Sequence, residues 1–169
     1  MSEMLYFAYG SNINLNQMAV RCPDAKVVEP AVLENYELLF RGNNRDYGVA
    51  TIRPKEGCQV HGLLWKITPE CERSLDHYEG YPHLYEKQKI PLTTKSGQQI
   101  SAMVYVMTRE RERMPGMPTR SYYIGILEGF QQNGLPVKSL EKAISKLARE
   151  QVRMERPKQK RRENDCFER

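Results

Sequence analysis

Several signatures of known chemistries are missing from this 169-residue sequence, and each absence removes a class of function. The four cysteines, Cys22, Cys58, Cys71 and Cys166, lie far apart with no C-x-x-C pair. The three histidines, His61, His77 and His83, form no ligand spacing with them. A metal site is therefore not expected. No run of about 18 apolar residues occurs, which excludes a membrane-spanning helix. The opening MSEMLYFAYGSN lacks the basic flank and apolar stretch of a secretory signal, so the expectation is a cytoplasmic protein with reduced thiols. There is no G-x-x-x-x-G-K phosphate loop, no dinucleotide fingerprint and no Ser-His-Asp order, and Ser11 has no identifiable histidine base. Nucleophilic catalysis is not the expected chemistry. No internal repeat is visible.

What is present is ordinary for a folded globular chain, with 40% hydrophobic and 28% charged residues. One core is expected at this length. The formal net charge is +5, but residues 148–169 hold eight Lys/Arg against five Asp/Glu, leaving only +2 on the body. The expected organisation is one domain over residues 1–147, followed by a basic, charged helix end or tail over 148–169. The basic run at residues 158–162 has no interleaved aromatics, so a solvated segment is favoured over a nucleic-acid arm.

Along the chain, MLYFAYG reads as an aromatic-rich first strand closed by glycine. NLNQMAVRCPD reads as a short helix capped by Asn14 or Asn16 and stopped at Pro23. From Lys26, KVVEPAVLE, YELLFRG, GVATIRP and QVHGLLWKI read as four successive strands between Pro, Gly and Asn breaks. Thr68 and Pro69 then start a helix, PECERSLDHYEG, ended by Gly80. YEKQKIPLTT and QQISAMVYVM flank the turn KSGQ as a hairpin, raising the count to about seven strands. Two helices follow, SYYIGILEGFQQNG and SLEKAISKLAREQVRME.

Three groups carry candidate chemistry. Tyr9-Gly10-Ser11-Asn12 leaves the first strand toward a helix, and its backbone N–H groups can converge on a carboxylate or a developing oxyanion. A plain strand-ending turn is the competing reading. Glu79 stands in the last turn of its helix, where the negative end of the helix dipole opposes a carboxylate. Leu75, Tyr78, Tyr81 and Tyr85 surround it in sequence and can strip its water, so both effects raise its pKa toward that of a general base. Glu72 and Asp76 are its rivals on the same helix. Tyr81, Tyr85, Tyr122 and Tyr123 supply phenols that can orient a substrate and wall off solvent. Residues 109–118, rich in Pro, Gly and charge, read as either a lid or a solvated loop.

In this order, YGSN after the first strand, GLLWKI, LDHYEG with Tyr85 six residues beyond Glu79, and SYYIGILEGFQQNGLP resemble the gamma-glutamylcyclotransferase-like family over residues 4–136. The resemblance implies an α+β fold: a small, mixed, barrel-like sheet of six or seven strands with flanking helices around one mouth. It implies a cyclotransferase, an acyltransferase or lyase in class, in which the α-amine of a γ-glutamyl group attacks its own side-chain carbonyl. The products are 5-oxoproline and a free amine or amino acid, with no cofactor. The family's catalytic glutamate falls on Glu79 and its substrate loop on Tyr9, Gly10, Ser11 and Asn12, while Tyr85 and Tyr122 match pocket-lining positions. YGSN resembles the branch acting on γ-glutamyl amino acids, whereas the Glu79–Tyr85 spacing with Pro82 resembles the branch acting on γ-glutamyl amines. The partner implied is a small γ-glutamyl compound, not nucleic acid or membrane. The alternative from another class is a non-catalytic module that binds a small carboxylate in the same pocket.

Overall fold

The computed structural model describes residues 3–42 and 47–167, with side chains described as far as Glu155. Five strands close into a barrel in the order β1-β3-β2-β4-β5. These are β1 (Met4–Ala8), β2 (Lys26–Gly42), β3 (Gly48–Ile67), β4 (Tyr85–Thr94) and β5 (Gln99–Met107). Four helices pack outside: α1 (Leu15–Arg21), α2 (Pro69–Glu79), α3 (Arg120–Gln132) and α4 (Val137–Phe167). The barrel is mixed because β1 lies antiparallel to β3 but parallel to β5, through Tyr6 opposite Met103. That parallel contact closes the sheet.

Five strands rather than six or seven is a small correction to the sequence reading. The four segments between Lys26 and Ile67 form only two long strands, because each pair stays connected through a bend. Asn35 takes a positive φ of 60°, and its side chain accepts from the Gly57 N–H at 3.1 Å. The register therefore jumps from Glu34 opposite Gln59 to Tyr36 opposite Pro54 without ending either strand. A bulge of this kind bends a ladder while keeping it one element.

The caps of α1 and α2 fall where the sequence puts them. The Asn14 side chain caps α1 by accepting from the N–H of Asn16 and Gln17, and Thr68 caps α2 by accepting from Cys71. Gly80 adopts the left-handed conformation at φ 64°, which stops α2 immediately after Glu79. The helix α4 runs on as backbone to Phe167, past the end expected near Glu155. The basic run at 158–162 lies outside the described side chains.

The core fills the barrel and the seam beneath α2 and α3, with Phe7, Leu33, Leu63, Leu64, Ile67, Leu75, Ile126 and Phe130 almost wholly buried. Helix α3 comes unusually close to the segment after β1. A Cβ at Gly129 would stand 2.8 Å from the Asn14 backbone nitrogen, and the Asn14 side chain donates to the Gly125 carbonyl at 2.9 Å. Glycine on this face thus fixes α3, and with it Tyr122, against the loop that follows β1. Segment 109–118 is held to the barrel end: Gly42 donates to the Met114 carbonyl, Gly48 to Met117, and Gly116 to Phe40. Among the described residues no helix is long and apolar enough to cross a membrane.

Candidate active site

Where β1 ends, the chain enters a single turn of 3-10 helix, Ser11–Ile13, with Gly10 at its start. The N–H of Ile13 returns to the Gly10 carbonyl and that of Asn14 to Ser11. Among the described residues, nothing accepts from the N–H of Gly10, Ser11 or Asn12. These donors belong to the first turn of a helix and have no internal partner by construction. They stand beside a cavity of about 200 Å³ whose lining includes Tyr9, Gly10, Ser11, Asn12, Glu79, Tyr85 and Tyr122. The seven residues that the family resemblance marks therefore meet at one place.

Gly10 is there for space rather than for an unusual dihedral. Its φ is −117°, but an added Cβ would lie 3.1 Å from the Ala50 Cβ and 3.5 Å from the Tyr122 hydroxyl. Any side chain would intrude on the cavity floor.

Glu79 is the one carboxylate lining the cavity among the described residues. Burial pushes its pKa from 4.5 up to about 7, against the lowering effects of the Arg21 charge and the hydrogen bond from Asn12. That bond runs from Asn12 Nδ2 to Glu79 Oε1 at 3.0 Å. The group is thus poised near neutrality in a site with no cation on its wall.

The remaining wall is largely phenolic, and apart from Tyr78, whose hydroxyl pairs with Ser11 Oγ at 3.2 Å, the hydrogen bonds divide its hydroxyls into two sets. Tyr9 donates to the Tyr105 carbonyl and Tyr85 to the Ala50 carbonyl, each at 2.5 Å, while Tyr105 donates to Asp76 Oδ1 at 2.6 Å. Those three protons are engaged, so Tyr9 and Tyr85 present rings and lone pairs to the cavity. Tyr122 instead accepts from the Ala50 N–H at 3.0 Å, and Tyr6 accepts from Asn12 Nδ2 at 2.9 Å. Each of these two keeps an O–H proton free. Burial raises the pKa of Tyr6, Tyr9, Tyr85 and Tyr122 above the ordinary phenol value, so all remain neutral donors.

Two sequence candidates fall outside this site. Tyr81 turns outward, 41% exposed, with Lys87 Nζ 4.3 Å from its ring centre. Tyr123 packs against the core away from the cavity. Segment 109–118 contributes no lining residue. The larger groove between α4 and strands β2 and β3, about 510 Å³, is lined by Lys55, Lys138, Lys142 and Lys146. Its carboxyl, Glu37, is held below the ordinary glutamate value, against burial, by Lys146 and Arg53, so it lacks the raised carboxyl that marks the smaller cavity. Among the described residues no group of His, Cys, Asp or Glu is placed to hold a metal ion, and Cys22, Cys58 and Cys71 are free thiols.

The family model described as gamma-glutamyl cyclotransferase, AIG2-like, matches residues 6–123, a span that holds the barrel but for Met4 and Leu5 and holds every cavity-lining residue. The chain belongs to this family. It is 34% identical over 148 residues to the gamma-glutamylcyclotransferase of Homo sapiens, covering 83% of this chain and 77% of that one. The Bos taurus gamma-glutamylcyclotransferase is 33% identical over 150 residues, covering 85% and 78%. A solved structure titled gamma-glutamyl cyclotransferase superposes with a TM-score of 0.75 at 30% identity, covering 84% of this chain and 86% of the other.

Four residues of the site escaped the sequence reading. Tyr6 and Tyr105 sit in strands, where an aromatic residue reads as core. They are indeed core by burial, and they also form the cavity wall, with ring centroids 5.7 Å apart at 78°. Trp65 Nε1 donates to the Asn12 carbonyl at 3.1 Å and so fixes the loop from beneath. Arg21, the last residue of α1, reaches the loop at Ser11 and Asn12. A basic residue ending a helix is commonplace, and nothing local in the sequence distinguishes this one.

Proposed function

We propose that the protein closes 5-oxoproline from a γ-glutamyl amino acid or γ-glutamyl amine, with Glu79 as the acid/base group and the Gly10–Asn12 backbone as the anion cradle. The chain is an enzyme of the gamma-glutamylcyclotransferase type by family, so a passive carboxylate-binding module is set aside. The observation that carries the assignment of roles is the pairing of one carboxyl, raised to about 7, with unpartnered backbone donors across the same small cavity.

The chemistry follows from that pairing. The substrate's α-amine, beside its own α-carboxylate, arrives largely as ammonium, which cannot attack. A carboxylate whose own pKa lies near 7 takes that proton at less cost than an ordinary glutamate, which is too weak a base. The amine nitrogen then adds to the side-chain carbonyl carbon of the same molecule. The ring C–N bond forms and the carbonyl electron pair moves onto oxygen. The N–H groups of Gly10, Ser11 and Asn12 are the donors available to that oxyanion or to the α-carboxylate, and the free O–H protons of Tyr6 and Tyr122 add to them. When the intermediate collapses, the carbonyl re-forms, the bond to the leaving nitrogen breaks as Glu79 returns its proton there, and the second proton shed by the ring nitrogen passes through the freed carboxylate to the departing amine, which leaves as ammonium. No water is consumed and no cofactor takes part. Holding amine and carbonyl together in a walled cavity supplies the proximity contribution.

The test is release of 5-oxoproline from a panel of γ-glutamyl amino acids and γ-glutamyl amines, run with Glu79→Gln. Release that collapses in the variant supports the assignment, and the preferred panel member names the leaving group. Near-normal turnover by Glu79→Gln would remove Glu79 as the proton carrier.

A further inference from the structure

Arg21 touches three parts of the site without entering the cavity. Its Nη1 donates to Asn12 Oδ1 at 2.6 Å and to Ser11 Oγ at 3.2 Å, while Nη2 donates to Gln17 Oε1 at 2.8 Å. The guanidinium lies 3.6 Å over the ring of Tyr78, the residue before Glu79. Among the described residues it forms no ion pair with any carboxylate. A guanidinium that is half-buried, stacked and held on three oxygens, yet left without a counter-charge, calls for an account.

The account lies in Asn12. An amide can face a neighbour with either its oxygen or its NH2, and Glu79 as carboxylate needs the NH2. Guanidinium has only donors, so it accepts nothing but the amide oxygen. By taking Oδ1, Arg21 forces both Asn12 Nδ2 protons to the other side, where one goes to Tyr6 and one to Glu79 Oε1 at 3.0 Å. Were the amide reversed, its oxygen would face the carboxylate and repel it. Gln17, one turn earlier on α1, and the Tyr78 face hold the guanidinium in the plane this requires.

We propose that Arg21 is a positioning residue for the reaction, fixing the Asn12 amide with its donors toward Glu79 and supplying the positive charge that faces Glu79 across that amide. This deepens the function proposed above and rests on Glu79 being the proton carrier. The other groups around Glu79 leave Arg21 as the charge that matters. Tyr6 from β1, Tyr9 just after it, Tyr85 from β4, Tyr105 from β5 and Tyr122 from α3 all stay protonated. Cys22 is raised to about 12 by burial and stays neutral. Asp76 on α2 is paired with Lys87 from β4 at 2.8 Å, and Val49 and Ala50 from β3 do not titrate.

The experiment is a carboxyl carbon NMR titration of Glu79 in the wild type and in Arg21→Met, Arg21→Gln and Arg21→Lys, together with the pH dependence of kcat/KM for 5-oxoproline release. Arg21→Met should move the Glu79 midpoint and the acid limb of the rate profile upward together, by about one unit, as loss of a nearby opposite charge does. Arg21→Gln keeps an amide donor but no charge and should shift both in the same direction; it answers the question if the Met variant does not fold. Arg21→Lys, donor-only and charged, should restore most of the shift. Folded neutral variants that titrate at the wild-type midpoint, with only a lowered Tm, overturn the proposal. If Glu79 titrates as expected but no panel member is turned over, the reaction is wrong and the linkage of Arg21 to Glu79 stands. If turnover depends on Glu79 but its midpoint ignores Arg21, this inference alone fails.

Discussion

Asp76 and Glu79 stand three residues apart on α2, both near the end of the helix where a carboxylate is least favoured. Their surroundings treat them in opposite ways. Asp76 accepts from Tyr105 at one oxygen and from Lys87 at the other, so its charge is met on both sides. Glu79 receives one neutral amide donor, and no cation comes within ion-pair distance among the described residues. Tyr105 forms the partition between them: its ring lines the cavity that Glu79 faces, and its hydroxyl points away to Asp76. An identical functional group on one helix is thus made a structural fastener in one position and a titrating group in the other. The difference comes entirely from what the barrel brings to each.

The largest effect is expected from abolishing one side of this contrast. Glu79→Gln should lower kcat by about 10²- to 10⁴-fold, the range attributed to a lost general acid/base. The same variant makes a prediction of opposite sign for stability. The folded pKa of about 7 lies above the unfolded value of 4.5, so the native state binds the extra proton between those two values. Wild-type stability is therefore full below about pH 4.5 and falls as pH rises through 7, by at most about 3 kcal/mol at 1.36 kcal/mol per unit. Thermal unfolding should show Glu79→Gln gaining on the wild type at pH 8 and matching it at pH 4.5. A constant difference across that range would contradict the raised pKa.

A smaller loss should come from crowding the cradle while leaving both carboxylates alone. Gly10→Ala places a methyl 3.1 Å from Ala50 and 3.5 Å from the Tyr122 hydroxyl. Turnover should fall by about 10- to 100-fold through misplacement of the reacting atoms. Because nothing near Glu79 changes charge, the pH at half-maximal rate should stay where it is, and a shifted profile would break the claim that the two parts of the site act separately. Tyr85→Phe and Tyr122→Phe sharpen the point. Both hydroxyls hold Ala50, but only Tyr122 keeps a proton free, so Tyr122→Phe should cost more in kcat, by about threefold to tenfold, as one hydrogen bond of about 1 kcal/mol implies.

How far this contrast was visible in the sequence depends on whether its cause is local. The ends of α2 were legible because Thr68, Pro69 and Gly80 act within one turn of themselves. Glu79 was singled out for the same reason, since its place before a C-cap glycine is a local fact. The YGSN loop was legible as a turn with spare donors. The sequence overcounts strands because Asn35 bends a ladder where the polar residues read as a break. Closure of the barrel through Tyr6 and Met103 joins residues nearly a hundred positions apart and leaves no local mark. Arg21 was invisible for a similar reason: its place on α1 is ordinary, and its meaning arises only when α1, the Ser11–Asn12 turn and Tyr78 converge. Asp76 ranks behind Glu79 in the sequence only for its position on the helix, and the restraint on it, the Lys87 and Tyr105 contacts supplied by β4 and β5, has no local mark.

The smallest effect on turnover is expected at Asp76, and it tests whether fastening and titration are separate properties. Asp76→Asn keeps an oxygen that can accept from Tyr105 or Lys87 but removes the charge, and Lys87 still has Glu72 at 2.7 Å. The pair is partly exposed, with side chains 21% and 25% accessible, so the loss in stability should be about 1 kcal/mol. Turnover should change less than about threefold, with an unmoved pH profile, since Tyr105 stays neutral in either case. The companion change Lys87→Met removes the cation and leaves Asp76 charged one turn from Glu79. A second unpaired carboxylate at that distance disfavours ionisation of the first, so the acid limb of the rate profile should move upward by a fraction of a unit. A profile that moves in Asp76→Asn instead would mean that the two carboxylates titrate as one system, and the partition assigned to Tyr105 would have to be abandoned.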